Sequence, residues 1–364
     1  MSFHEFLGNE TTVRRLREAV AASRVPPALI LAGPRGAGKF TLAVRLAQTA
    51  NCLDPKETEG LPDYCGVCSN CVRIGEVVDL DALVDQAVAA REELREVDKK
   101  DTRILIQTHP DVLVIPPDPP QLLIKLGQVR TVIREIYRMP AEARRAFYIF
   151  TNAAFMKEAA NSLLKVLEEP PAHASLILLA ENLGDLLPTI RSRSCIFRLA
   201  AVPLEQIEKL LLARRPELRP EHRSLVARLA QGAVGEALSF DLEAYLASRT
   251  DALLILRNAV GEPDYSALFR MTETYRAGAD GQEKTADLFR AFLSLLEDLL
   301  LLKSNTPQFI RNVDIQKQLA NLSQQVSFDW IEAAERGVHE VRSGMRRNLL
   351  RSLSLDAFAT ELAG

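Results

Sequence analysis

The clearest chemistry in this 364-residue sequence lies in a glycine-rich run, GPRGAGKFT (Gly33 to Thr41). Gly33, Gly36 and Gly38 let the backbone turn its N–H groups inward to cradle phosphate oxygens. A helix opening at the end of the loop adds a dipole that favours the same anion, and Lys39 is spaced to reach β- and γ-phosphates. The fit to G-x-x-x-x-G-K-[ST] fails only at its last position. Phe40 stands where a hydroxyl would hold Mg²⁺, and Thr41 lies about 100° further round the helix, so it is a poor substitute. A loop of this kind also serves as a bare strand-to-helix turn with no ligand. Binding of ATP or ADP without hydrolysis is the reading that the retained Lys39 supports.

A second constellation follows at once. Four of the five cysteines lie between Cys52 and Cys71, as C-x₁₂-C-x₂-C-x₂-C through Cys52, Cys65, Cys68 and Cys71. The two C-x₂-C pairs share Cys68, which lets consecutive thiolates converge on one tetrahedral ion. Four sulfur ligands and no water describe a closed structural Zn²⁺ site. An iron–sulfur cluster or reduced thiols are the rivals; zinc needs no redox partner and the spacing agrees. Cys195 is expected to be a half-buried bystander.

These residues need a scaffold, and the first half of the chain alternates helix and strand patterns. Glu10 to Ser23 is amphipathic, with Val13, Leu16 and Val20 on one face. ALILA (Ala28 to Ala32) is an apolar strand leading into the glycine loop, and Thr41 to Thr49 continues as a helix. DVLVI (Asp111 to Ile115), AFYIF (Ala146 to Phe150) and SLILLA (Ser175 to Ala180) are further buried strands. Such alternation predicts an α/β fold with a mostly parallel sheet covered on both faces. The acidic stretch from Glu76 to Asp101 reads as a solvated helix or helical hairpin. From about residue 200 strand signals vanish and helical spacing takes over, broken at Ala230–Leu238, Gly261–Tyr265 and Gly278–Gln282.

Hydrophobic residues make up 47% and charged ones 26%, as in a soluble globular protein. The N-terminus lacks an apolar signal-peptide core, and no run approaches the roughly 20 apolar residues of a membrane span, so a cytoplasmic location is expected. A formal net charge of −3 argues against coating nucleic acid by bulk electrostatics. His109, before Pro110 and Asp111, reads as a turn former with no nucleophile nearby. Asp111 would begin a strand or cap a turn. Trp330, at helical spacing, belongs to a core or an interface, and Arg342 to Leu353 form a basic amphipathic helix.

Several segments resemble the bacterial DNA polymerase III clamp-loader AAA+ family. They are FHEFLGNETTVRRL near the start, HPDVLVIPP (His109 to Pro117), GQVRTVIREI (Gly127 to Ile136), AANSLLKVLEEPP (Ala159 to Pro171) and LLPTIRSRS (Leu186 to Ser194). Together they cover most of Phe3 to Arg198; the C-terminal half is similar only in character. The HPD and GQVR segments match both delta-prime and gamma/tau subunits, and a four-cysteine zinc module occurs at the same place in the family.

The resemblance implies a RecA-like AAA+ P-loop domain over 1–199. It would include the zinc module (about 50–75) and the acidic insertion (about 76–104). A small helical lid over 200–245 and an all-α collar over 246–364 would follow. It also implies which hydrolytic parts are missing. Thr151 and Asn152 align with the metal-binding and catalytic carboxylates of motor subunits, and Gly235 stands at the lid's sensor arginine. Neither Thr151 nor Asn152 can carry the charge that metal binding or water activation needs. Arg193 matches the arginine finger that reaches a neighbour's γ-phosphate, although Ser194 replaces the usual cysteine and Cys195 is displaced by one. Arg191 and Arg193 would otherwise be surface arginines in a loop.

The implied function is therefore a non-motor, delta-prime kind of subunit in the DNA polymerase III clamp loader. Its partners would be the gamma/tau and delta subunits, with the sliding clamp and primed DNA reached through the complex. The alternative is an ATP-hydrolysing gamma/tau-type subunit. A signalling or chaperone-like AAA+ protein fits the segments poorly, and no carboxylate pair of a polymerase site is apparent.

Overall fold

The computed structural model describes residues 2–3, 5–119, 121–261, 264–276, 278–345 and 351–362. It divides into two compact units, one of Met1–Gln206 with Gly232–Glu236, the other of Ile207–Gln231 with Ala237–Gly364.

The first unit runs α1 (Glu10–Ala21), β1 (Ala28–Ala32), α2 (Lys39–Asn51), β2 (Lys56–Thr58), β3 (Leu61–Asp63), α3 (Ser69–Gly75), α4 (Leu80–Glu92), α5 (Glu96–Asp101) and β4 (Ile106–His109). It continues with β5 (Val112–Ile115), α6 (Leu126–Glu135), β6 (Ala146–Phe150), α7 (Lys157–Glu168), β7 (Ala174–Ala180), α8 (Pro188–Arg191) and β8 (Cys195–Arg198). Six strands form one sheet in the order β4-β5-β6-β7-β1-β8, and β2 and β3 pair apart. Only the edge strand β4 runs antiparallel to its neighbour in the large sheet.

The expected parallel sheet covered on both faces is present, and the strand residues show why. Alternate side chains enter opposite cores. Ile30, Leu113, Ile115, Tyr148, Phe150, Leu176 and Leu178 pack on one side with Val129, Val132, Leu163 and Val166 of α6 and α7. Leu29, Leu31, Val112, Val114, Phe147, Ile149, Ile177 and Leu179 pack on the other with Leu16 of α1 and Leu42 and Leu46 of α2.

Three strand elements lacked a sequence signal. β8 is an edge strand whose residues are mostly exposed, so no apolar run marks it. β4 alternates irregularly beside a register shift. The β2–β3 hairpin has three residues on each side, too few for a period. DVLVI forms a strand only from Val112, because Asp111 sits in the preceding turn.

The acidic stretch folds into the helices α4 and α5. Its inner side is not wholly solvated. Leu80, Leu83, Val84 and Ala87 pack partly buried against the core, and Arg91 donates to the buried Asp118 at 2.6 Å.

From Leu204 the described chain is helical: α9 (Leu204–Arg214), α10 (Pro220–Leu229), α11 (Val234–Ser239), α12 (Leu242–Val260), α13 (Tyr265–Glu273), α14 (Gly278–Lys303), α15 (Gln316–Gln325), α16 (Phe328–Met345) and α17 (Arg351–Glu361). The break read at Gly278–Gln282 comes earlier, since α14 already begins at Gly278. Of the basic run Arg342 to Leu353, residues 346–350 lie outside the described residues. No described helix is long and apolar enough to cross a membrane.

Candidate functional site

The glycine loop leaves the C-terminal end of β1, the position where open α/β sheets bind ligands. Gly33 N–H donates to Ala180 O at 3.1 Å, carrying the β1–β7 register one step beyond the strands. A Cβ at Gly33 would lie 2.7 Å from Leu199 O, so only glycine fits there. Gly36 and Gly38 hold positive φ values of 71° and 81°, which L side chains rarely adopt. Lys39 opens α2, and its ammonium donates to Gly33 O at 2.6 Å and Pro34 O at 2.7 Å.

A cavity of about 310 Å³ lies here, and it gathers most of the residues assigned from the sequence to the phosphate site. Gly36, Gly38, Lys39 and Thr41 line it, together with Thr151 and Asn152 from the end of β6. Gly33 borders the loop without being part of that lining. Phe40 also lines the cavity, while part of its ring packs against the core beneath. The Asn152 carboxamide is turned back, its Oδ1 accepting from Ala154 N–H at 2.8 Å.

One lining residue carried no sequence signal: Glu181, immediately after β7, the single carboxylate in the lining. Burial lowers the pKa of Lys39, and the charge of Glu181 opposes that shift. The two do not form an ion pair within 4 Å.

The segment Gly232–Glu236 closes over the loop from the side of α11. Gly235 N–H donates to Gly36 O at 2.8 Å, and Arg35 pairs with Glu236 at 3.3 Å. A Cβ on Gly235 would come within 3.1 Å of Gly36 O, so the backbone approach itself favours glycine. The residues thus fit a phosphate cradle. They fit a bound Mg²⁺ poorly, because Phe40 stands at the hydroxyl position after Lys39 and positions 151 and 152 are uncharged, which leaves Glu181 as the one carboxylate in the lining.

Arg193 does not line this cavity. It lies just beyond α8, with 36% of its side chain exposed. Its guanidinium donates to Thr189 O and to Glu168 Oε1, each at 3.1 Å, so the last residue of α7 holds it in place. Arg191 is part-buried nearby, while Cys195, expected to be half-buried, is exposed.

The four cysteines do converge. Cys52 follows α2, Cys65 follows β3, Cys68 caps α3 and Cys71 lies within it. Their sulfurs lie within 4.8 Å of one another, and all are free thiols. Backbone N–H groups point at the sulfurs: Cys65 N to Cys52 Sγ at 3.2 Å, Cys68 N to Cys65 Sγ at 3.3 Å and Cys71 N to Cys68 Sγ at 3.5 Å. Burial acts to raise the Cys68 pKa, but the backbone N–H groups of Cys71 and Leu53 and the neighbouring thiols outweigh it and bring it to about 6. Burial drives Cys71 the other way. Such N–H donation stabilises thiolate ligands, and the donor set fits a closed S₄ zinc site.

The cluster is tied to the sheet by buried polar contacts. Asn70 Nδ2 donates to Asn51 O at 3.0 Å, and its Oδ1 lies 3.2 Å from His109 Nε2. His109 Nδ1 accepts the Asp111 N–H at 3.1 Å, which assigns the ring proton to Nε2. Burial, then the charge of Arg73, lowers the His109 pKa and keeps the ring neutral in this link.

Among protein families, the model described as DNA polymerase III, delta subunit matches residues 8–203. The tau subunit of DNA polymerase III from Escherichia coli K12 is 29% identical over 245 residues, covering 65% of this chain and 32% of that protein. The gamma/tau subunit of Mycobacterium tuberculosis H37Rv is 26% identical over 389 residues, covering 96% of this chain and 59% of that protein. The delta' subunit of Bacillus subtilis 168 is 28% identical over 227 residues, 62% of this chain and 57% of that protein. The chain therefore spans between a third and three-fifths of these relatives' lengths. A solved gamma-subunit-related protein from Thermotoga maritima aligns over 96% of this chain and 98% of its own, at 16% identity and a TM-score of 0.47.

Proposed function

The chain belongs to the DNA polymerase III delta subunit family, and from that premise we propose that it is the non-motor, delta-prime kind of clamp-loader subunit. In this role it supports ATP-dependent loading of the sliding clamp onto primed DNA. It acts beside gamma/tau and delta subunits in the cytoplasmic replisome. Residues 1–199 form the AAA+ domain, 200–245 the lid and 246–364 the collar through which the subunits join. A structural zinc ion held by Cys52, Cys65, Cys68 and Cys71 braces the module beside α2.

The observation that carries this reading is a phosphate loop without the hydroxyl and the carboxylate pair that hold a catalytic metal ion. Thr151 and Asn152 border the cavity where carboxylates would be needed, and Phe40 follows Lys39. Phosphoryl transfer depends on metal positioning and charge stabilisation, so losing these groups together silences the chain's own site. Arg193 keeps a different use. Exposed and held by Thr189 and Glu168, it is offered to the γ-phosphate of a neighbouring subunit. There it meets charge that develops in the transition state, where such an arginine is worth about 10³–10⁵ in rate at the site it serves.

One observation favours a second reading, an ATP-hydrolysing gamma/tau-type subunit: the M. tuberculosis gamma/tau subunit matches 96% of this chain. ATP turnover separates the two. The isolated chain is expected to be silent, and mixing it with its own motor and delta subunits should stimulate turnover. Arg193→Ala should remove that stimulation. Turnover by the isolated chain would overturn the delta-prime reading in favour of the motor one.

A further inference from the structure

We propose that the phosphate loop of this chain holds a nucleoside diphosphate without a metal ion and turns away the triphosphate, and that Glu181 makes the choice. The inference rests on reading Gly33 to Thr41 as a phosphate cradle.

The geometry begins with the sheet. Ala180 pairs with Ala32, and Gly33 N–H continues the ladder onto Ala180 O at 3.1 Å. Glu181 therefore leaves β7 directly alongside the start of the loop and lines the same cavity. One side of that cavity offers what two phosphates require: the glycine-rich backbone at Gly36 and Gly38, the opening of the 13-residue helix α2, and Lys39. The side formed by the strand ends offers Thr151, Asn152 and Glu181.

A third phosphate, although Lys39 could still reach it, would lie nearer those strand ends, and it arrives with additional negative charge. It is ordinarily accommodated by a divalent cation, itself held by a hydroxyl and carboxylates. Here the hydroxyl position is Phe40, and the two residues ending the β6 side are neutral. The one carboxylate present stands close enough to influence the charge of Lys39, so it would repel an unneutralised terminal phosphate. The other lining cation, Arg35, is largely exposed and already paired with Glu236 at 3.3 Å, so it offsets only part of that charge. A diphosphate needs only the loop and Lys39, whose ammonium exchanges two loop carbonyls for phosphate oxygens.

Titration calorimetry on the full chain, with ADP and ATP in magnesium-free buffer and again with Mg²⁺, tests the inference without touching the zinc cluster. ADP is expected to bind about tenfold more tightly than ATP without metal, the size of one modest charge interaction. Mg²⁺ should not tighten ADP binding. Glu181→Gln should bring ATP to within about twofold of ADP, and Lys39→Ala should lose both. Glu181 is exposed, so the exchange spares the core, and far-UV circular dichroism verifies this.

Equal or tighter binding of ATP by the unmodified chain would overturn the proposal. So would a preference unchanged by Glu181→Gln, or the absence of binding by either nucleotide. Tightening of ATP by Mg²⁺ that disappears in Glu181→Gln would make Glu181 a metal ligand, which also overturns it. None of these results bears on whether Arg193 stimulates a neighbour, so the two readings fail separately.

Discussion

Three backbone N–H groups, from Ala141, Glu142 and Ala143, converge on the carboxylate of Asp111 at 2.7 to 2.8 Å. Burial by itself would raise its pKa, but these donors outweigh that penalty and hold it below the ordinary carboxylate range. A depressed folded-state pKa gives stability that is fully present above the unfolded value of about 3.9. That stability is lost as pH falls through the lower folded value. Asp111→Asn keeps one acceptor oxygen but turns an amide N–H₂ against a backbone donor, and should cost about 1.5–3 kcal/mol at neutral pH. Urea midpoints between pH 7 and pH 3 check this: the variant should lose less stability on acidification than the parent. His109 ends β4, so the turn is Pro110 and Asp111; the sequence offered His109 as a turn former and Asp111 as a strand start or a turn cap. It could not show that the turn's carboxylate organises a loop thirty residues further on, because those partners are N–H groups, which carry no residue identity. Glu181 escaped notice for a related reason. A single glutamate after a strand is chemically silent until the sheet register sets it beside Gly33.

At the scale of elements, the interior strands announced themselves. β1 and β6 are apolar on both faces, so ALILA and AFYIF stand out as continuous runs whose ends the structure reproduces. The edge strand β8 pairs with the distant β1, and the short β2–β3 hairpin is held by a distant helix, so their composition says little. Arg17 of α1 shows this. It is 2% exposed, and its guanidinium donates to Thr58 O, Leu61 O and Pro62 O at 2.5 to 3.1 Å, closing the hairpin onto the helix. The sequence offered Arg17 only as a polar position on an amphipathic helix. Replacing it with methionine keeps much of the apolar stem but strands the carbonyls, and should cost about 1.5–3 kcal/mol. Denaturant unfolding measures the loss. Zinc content after dialysis against a competing chelator should also fall, since the hairpin ends at Asp63, two residues before Cys65. Full zinc retention with unchanged stability would mean that the hairpin contributes nothing to the cysteine cluster.

For the whole molecule, the division of the chain into two units puts the two most useful reporters in different units. The cysteine cluster belongs to the first unit. The single tryptophan, Trp330, belongs to the second, where its indole N–H donates to Leu362 O at 3.1 Å. The second unit has its own apolar centre, with Leu288, Phe289, Phe292, Leu295 and Leu299 of α14 all nearly inaccessible. It also has its own buried polar network. Asp298 accepts from Arg311 N–H, Asn312 N–H and the Asn312 amide at 2.7 to 2.8 Å, and Arg249 pairs with Asp314 at 2.6 Å. Nothing in that network draws on the cysteines, so a metal ion bound at the cluster and the tryptophan should answer to different perturbations. A thiolate-bound zinc ion contributes its binding free energy to the fold that holds it. Chelation should therefore lower the thermal transition of the first unit, seen by far-UV circular dichroism. The emission maximum of Trp330 should stay at its native wavelength at 25 °C. A red shift on chelation would show that the helical unit depends on the cysteine-bearing one for its fold. An unmoved emission with a lowered first transition would show that each unit is stabilised by its own core.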